Sequence, residues 1–496
     1  MTSPHVERLE REDLAMFINA CFACTGQAEF YADSKGQGVS IEFLHEYILG
    51  NYRRLYARTL AAGINHFNQS LIVLNLLATG TQTPRAPAAR HEEGALLATA
   101  LRKLPPPRAW RVLEQLRTRK INNRRARAVA REYLRARPDP ALDAVKYRPR
   151  LLAAVTHAHC PLPGELPEFL FGEPRRRADA FVTPLFDAWR RASREPEAIY
   201  ELPYSVAEGF AAKHRVPRDE FLQRIEENLT PHERLRLQRT AREEGVSVPN
   251  DLRRVDLTRL CLYALSFDAN DRGARRDQLD RALTFAADRA LRRAPMRLGR
   301  VAAVLDRSYS SGGSSQKLRR PLAVALGASY LLRLAAREYK AFWTGSFGPE
   351  RSELMVEAGE QSDLATPLVD ALAWGAELVV IVSDGYENDP PGGVAEVVRV
   401  WRAHHDRDRK VSIVHVNPVF DPGSFAPKAL GGGVPTVGLH DAEDLLTMLG
   451  FARFAEGTGS LAELEEYLAA RSRRFLGEHA PVEDEPTDPT EEHDLA

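Results

Sequence analysis

Apolar positions along the first 295 residues recur at helical spacing. Leu60, Ile64, Phe67, Leu71 and Leu74 stand three or four residues apart, which predicts one helical face turned to the core. Shorter amphipathic runs follow over 95–104, 109–116, 124–135, 219–228 and 253–265. Polar or proline-bearing connectors separate them (TGTQTPRAP, RPDPALD, CPLPGELP, EGVSVPND). Many short helices with short links predict stacked helical pairs, an α-solenoid of the HEAT kind, although no clean sequence period accompanies them.

The pattern changes near Pro295. RLGRVAAVLD is a continuous apolar run, as expected of a strand buried on both faces. A helix over 321–338, the strand YKAFWTGSF, a helix over 367–374, the strand ELVVIVSD, the helix GGVAEVVRVWRAHH, the strand KVSIVHVNPV, a short TVGL and a closing helix pair complete the series. Alternating strands and helices predict a parallel sheet covered on both sides, with sites at the carboxyl ends of its strands. The expected organisation is a helical domain over 1–295, an α/β domain over 296–478 and an acidic, disordered tail over 479–496.

Composition narrows the classes. With 44% apolar and 27% charged residues, the chain can bury a sizeable core, so disordered and low-complexity classes are excluded. The opening MTSPHVERLEREDL is charged where a signal peptide would be apolar, and no run suits a membrane helix. Cys21, Cys24, Cys160 and Cys261 are too few for a disulfide framework, and the lone C-x-x-C lacks a second ligand pair for zinc. Buried thiols in a reducing cytoplasm are expected. Lys+Arg and Asp+Glu balance at 68 each, yet 111–150 holds thirteen basic residues against four acids, a stretch that would attract a polyanion.

Oxygen donors cluster at the predicted strand ends. Asp306, Ser308 and Ser310 form D-x-S-x-S after the first strand, Ser362 precedes a helix, and Asp384 ends ELVVIVSD. A hard cation, Mg²⁺ above all, takes about six oxygens. Two carboxylates and three hydroxyls would supply most of them and leave a position for an acidic ligand.

This arrangement resembles the von Willebrand factor A domain and its metal-ion-dependent adhesion site. Ser362 stands where that family usually has threonine. Helices followed by such a domain resemble the TROVE-module proteins, the Ro autoantigen family with its bacterial relatives. GQAEFYADSKG is similar to that family's opening segment, and DAVKYRPRLLAAVTHAHC to its basic KY segment. SDLATPL and VVIVSDGYEN are similar to its metal loops, and MLGFARFAEGTGSLAELEEYL to its closing helix. Gly385-Tyr386, Arg307 and Tyr309 depart from the family loops. The resemblance implies a monomeric ring of helical repeats closed by the A domain. It also implies binding of small noncoding RNAs of the Y RNA type and of misfolded RNAs with single-stranded ends, in RNA quality control, with an exoribonuclease as a further partner.

The residues carry their own case for RNA. At about 100° per residue, Arg124, Arg127, Arg131 and Arg135 form one stripe, with Ala126, Val129, Ala130, Tyr133 and Leu134 opposite. Guanidinium groups match phosphate, and Lys146, Arg148 and Arg150 extend the positive field. The resemblance adds His157 at the rim of the ring's hole. The competing reading of each stripe is a solvated helix face. A second function class is a metal-dependent protein-interaction adaptor without RNA. A metal-dependent hydrolase is the third and weakest, since no P-loop, G-x-S-x-G or H-E-x-x-H occurs; Glu387 and His404-His405 lack partners, and a non-enzymatic protein is expected.

Overall fold

The computed structural model describes residues 4–246, 251–348, 351–456 and 459–477; the acidic end, 479–496, lies outside them. The chain opens with α1 (Pro4–Ala23), α2 (Ser34–Asn51), α3 (Arg53–Arg58) and α4 (His66–Ala78). The single helical face expected over Leu60–Leu74 is broken. After a 3-10 turn at Thr59–Ala61 the chain passes through Gly63 at φ +92°, a conformation glycine adopts without strain, and α4 starts afresh. Asn65 caps it, its Oδ1 accepting from Asn68 N at 3.0 Å. Leu60, Ile64 and Leu74 are still buried, but Phe67 and Leu71 are only half-buried, and Ile72, Val73, Leu76 and Leu77 make the core face of α4.

Next come α5 (Pro87–Lys103), α6 (Pro106–Thr118), α7 (Arg124–Arg135) and α8 (Pro140–Ala158). Each packs on the helix two places further on: α3 on α5, α5 on α7, α4 on α6 and α6 on α8. Two layers result. α7 occupies its predicted span, with Asn123 as N-cap and Ala126, Val129, Ala130 and Tyr133 buried. α8 is bent at Tyr147 (φ −127°, ψ 28°), two residues before Pro149, whose ring lacks an amide donor and crowds the preceding turn. A buried carboxylate ties one layer together: Glu93 on α5 accepts from Arg53 on α3 through two hydrogen bonds of 2.9 Å and pairs with Arg125 on α7.

The run continues through α9 (Leu166–Phe171), α10 (Pro184–Arg191), α11 (Tyr204–His214), α12 (Arg218–Arg224) and α13 (Pro231–Glu243). It ends with α14 (Leu257–Leu265), α15 (Ala269–Ala274) and α16 (Arg276–Arg293). The helix expected over 219–228 is α12 plus a 3-10 turn at Glu226–Asn228, and that over 253–265 shortens to α14.

The α/β part runs β1 (Leu298–Leu305), α17 (Arg320–Ala335), β2 (Ala336–Trp343), α18 (Ala365–Ala373), β3 (Leu378–Val382), α19 (Gly393–His404) and β4 (Ser412–Asn417). An unanticipated antiparallel hairpin follows, β5 (Phe420–Asp421) with β6 (Ala426–Pro427). Then come β7 (Thr436–Gly438), α20 (Leu445–Glu456) and α21 (Leu461–Leu476). The sheet order is β2-β1-β3-β4-β7, parallel throughout. Alternate residues of its strands face two cores. Ala302, Val304, Val379 and Ile381 meet α18 and α19, whereas Val301, Ala303, Val380 and Val382 join a core shared with the helical region.

That shared core qualifies the boundary at 295/296, which marks a change of element type while packing runs across it. α1 packs on β6, β7, α20 and α21, and α14 and α16 pack on α17. Thr258 Oγ1 donates to Glu443 Oε2 at 2.6 Å across the junction. The helical stretch thus begins and ends on the α/β part. The four cysteines are buried and unbridged, as expected. Among the described residues no helix is long and apolar enough to cross a membrane.

Candidate functional site

Successive connections place β2 and β3 on opposite sides of β1, so the strand order changes direction there and a crevice opens at the carboxyl ends of β1 and β3. Asp306 directly follows β1, and its amide donates to Val382 O of β3 at 3.0 Å. Ser308 N donates to Asp306 Oδ1 at 2.8 Å, and Ser308 Oγ lies 3.1 Å from both Asp306 Oδ2 and Ser310 Oγ. Tyr309 N donates to Glu360 O at 3.2 Å, stitching the first loop to the one that carries Ser362. Asp384 belongs to the β3 loop; its Oδ1 accepts from Tyr386 N at 3.1 Å, and the neighbouring Ser310 hydroxyl favours its charged form against the burial that raises its pKa.

The donor set fits a hard cation on three observations. Asp306, Ser308, Ser310, Ser362 and Asp384 are each no more than 5% exposed. The Ser362 hydroxyl, although buried, has no hydrogen-bond partner among the described residues, so its oxygen is open to a ligand. Finally, burial and the neighbouring Asp384 charge push the Asp306 carboxyl up to about 7. Two buried carboxylates, one of which raises the proton affinity of the other, are the environment a divalent cation relieves. No three His, Cys, Asp or Glu side chains gather as a metal-ligand group among the described residues; the donors here are carboxylates mixed with hydroxyls.

Several supporting residues carry no local motif. Thr344, at the end of β2, accepts from Arg307 N at 2.9 Å and reaches Asp306 Oδ1 at 3.4 Å. Behind Asp384, Ser383 Oγ lies 3.0 Å from His415 Nε2, whose burial lowers its pKa to about 3 and keeps the ring neutral. Gly385 (φ +78°) lets the β3 loop pass the Lys428 carbonyl: a Cβ there would lie 2.4 Å from that oxygen. This accounts for one departure from the resembled loop. Asp363 and Glu387 cap α18 and α19, accepting from Thr366 N at 3.0 Å and Val394 N at 2.8 Å.

The basic stretch divides into engaged and available groups. Arg131 Nε donates to Ala158 O at 2.7 Å. Arg148 donates to the carbonyls of Phe169 and Leu170, Arg150 pairs with Glu114 at 3.2 Å, and His157 Nε2 lies 2.9 Å from Ile121 O. Tyr147 is half-buried, 6.2 Å from the Trp110 ring. Arg124 and Arg135 are exposed, Arg127 and Lys146 are half-buried, and none of these four has an ion pair among the described residues. Arg127 Nε is buried without a hydrogen-bond partner. Arg111, Arg117, Arg119 and Lys120, on α6 and the turn after it, are also exposed and unpaired among the described residues. Arg108 nearby is held below its usual pKa by burial and by the Arg111 charge. The exposed positive surface is therefore centred on the α6–α7 turn, one helix earlier than the stripe alone suggested. Comparison of the chain with protein-family models and with curated proteins finds no match.

Proposed function

We propose that this is a non-enzymatic RNA-binding protein whose helical region holds structured RNA while its α/β part holds a divalent cation. The observation that carries the reading is the unneutralised charge at the α6–α7 turn. Arg117, Arg119, Lys120 and Arg124 follow one another in the open, with no acid paired to them among the described residues. Like charges gather at a cost unless a polyanion is expected, and phosphates supply affinity without sequence reading. A helical run that begins and ends on the α/β part, in two layers, supports the ring that the Ro-type resemblance implies. That resemblance, and the role in noncoding-RNA quality control it brings, including delivery to an exoribonuclease, belong to this proposal.

Asp306, Ser308, Ser310, Ser362 and Asp384 would hold the cation, Mg²⁺ by its preference for oxygen. When bound it supplies a Lewis-acidic point that accepts a carboxylate. The chain's own residues orient the donors, exclude water from them and leave the charge of the set incomplete. The orphaned Ser362 hydroxyl also favours a second reading, an adaptor that captures an acidic protein group through the cation and ignores RNA.

Titration of the full chain with a structured RNA bearing a single-stranded end separates the two. RNA binding predicts affinity that falls steeply with salt. Replacing Arg117, Arg119 and Arg124 by Glu should flatten the log–log salt slope by about 0.7–0.9 per lost phosphate contact. Affinity indifferent to both salt and charge reversal refutes the RNA reading.

A further inference from the structure

We infer that Tyr31, from the helical region, is a gate over the cation site: its ring closes the site to a protein-borne carboxylate until it swings aside. This rests on the reading of the five donors as a cation site.

Those donors are buried although their loops lie at the outer end of the sheet, so something covers them. The cover comes from the segment between α1 and α2. The Tyr31 hydroxyl lies within electrostatic reach of Ser310, Asp306 and Asp384, and its ring lies 4.2 Å from the ring of Tyr386 on the Asp384 loop. The Lys428 ammonium also lies 3.6 Å from the Tyr386 ring centroid. Tyr31 and Lys428 thus both meet the ring that follows Asp384 in its loop.

The backbone beneath Tyr31 is fastened while its side chain is not. Ala28 N donates to Gln316 Oε1 at 2.9 Å, and Ala28 O accepts from Ser314 Oγ at 2.6 Å. Glu29 pairs with Lys317, both nearly fully buried. On the other side Asp33 caps α2, accepting from Gly36 N at 2.6 Å. The Tyr31 side chain, in contrast, is 48% exposed, and among the described residues it is held by ring contacts with its neighbour Phe30 at 4.8 Å and with Tyr386 at 4.2 Å. Breaking a buried ion pair is expensive, whereas rotating a half-exposed ring is not. Opening therefore consists of the ring leaving Tyr386 and the donors, with the segment still in place. Once it leaves, the Lys428 ammonium remains at the mouth, and its charge already acts on Asp384. A cation with an open position and an ammonium beside it suit a carboxylate.

The test uses the full chain loaded with Mn²⁺, with acetate as the probe. Cation affinity is read by electron paramagnetic resonance, and acetate binding by the loss of water-proton relaxation as bound water is displaced. A site whose open form is a minority binds its ligand more weakly by that fraction, so Tyr31→Ala should take acetate about tenfold more tightly than the unsubstituted chain. Tyr31→Phe, which keeps the ring and loses the hydroxyl, should fall between the two. Equal acetate affinity in all three overturns the gate. The underlying cation reading has its own control: Asp306→Ala should abolish Mn²⁺ binding, and unchanged binding there overturns that reading whatever Tyr31 does.

Discussion

Asp306→Asn should make the cation-free protein more stable, although it deletes a buried, hydrogen-bonded group. An asparagine keeps an oxygen to accept from Ser308 N and carries no charge beside Asp384. Holding the Asp306 carboxyl near 7 instead of 3.8 means that ionising it in the folded chain costs about 4 kcal/mol, at about 1.36 kcal/mol per pH unit. The sign follows from proton counts. Below about pH 4 the carboxyl is protonated in both the folded and the unfolded chain, and nothing is lost. Between about pH 4 and 7 only the unfolded chain releases the proton, so folding stability declines as pH rises, and above 7 the loss is complete. The advantage of the asparagine variant should thus be near zero at pH 4 and reach a few kcal/mol at pH 8 in chelator. Magnesium narrows the gap at pH 8: at a hundred times its dissociation constant it adds about 2.7 kcal/mol to the unsubstituted chain and nothing to the variant. Urea unfolding at both pH values, with and without Mg²⁺, reads all four quantities. A variant that is less stable by the same amount at pH 4 and pH 8, and an unsubstituted chain blind to Mg²⁺, would refute the reasoning.

The remaining expectations concern single groups. Ser362→Ala removes a buried hydroxyl with no partner among the described residues. The cation-free protein should therefore stay within about 1 kcal/mol of its stability, while Mg²⁺ binding weakens in calorimetric titration. His45, fully buried between Tyr56 Oη at 2.8 Å and Asn68 Oδ1 at 3.0 Å, has its pKa lowered to about 4 by burial. Its stabilising contribution is intact above pH 6.5 and is lost as pH falls towards 4, by up to about 3 kcal/mol. His45→Gln should flatten the pH–stability slope in that window by about one proton; an unchanged slope places the acid sensitivity elsewhere.

How far the fold was legible depends on whether a pattern is local. The strands of the sheet are continuous apolar runs because both faces are covered, and that signature survives in sequence as it does in Val301–Leu305. α7 was legible to the residue because its polar and apolar sides differ so sharply. The break before α4 was not, since Leu60, Ile64 and Leu74 keep helical spacing across a turn at Gly63 and are buried on either side of it. Periodicity records which side chains face inward and is silent on whether one helix or two deliver them.

The candidate site divides along the same line. Asp306, Ser308, Ser310 and Asp384 stand at strand ends, where topology fixes their convergence. Tyr31 reaches them through a fastening between residues as distant as Ala28 and Gln316, and no local pattern encodes it.

The basic surface shows why charge counts and residue assignments part company. Carboxylates are scarce in 111–150, and all four are spoken for: Glu114 by Arg150, Glu132 by Arg102, Asp143 by Arg137, and Asp139 by the Leu142 amide at the start of α8. The excess of positive charge must therefore persist after folding, as the composition implied. Which arginines carry that excess is decided by carbonyls and carboxylates from other helices. Arg131 and Arg148 are drawn inward by Ala158, Phe169 and Leu170, and Arg125 by Glu93. Among the groups left facing solvent, Arg117, Arg119, Lys120 and Arg124 gather at the end of α6, the turn after it and the start of α7, with no ion pair among the described residues. If a polyanion binds here, charge reversal at the turn must weaken it more than the same change at Arg131 or Arg148, where folding would suffer first.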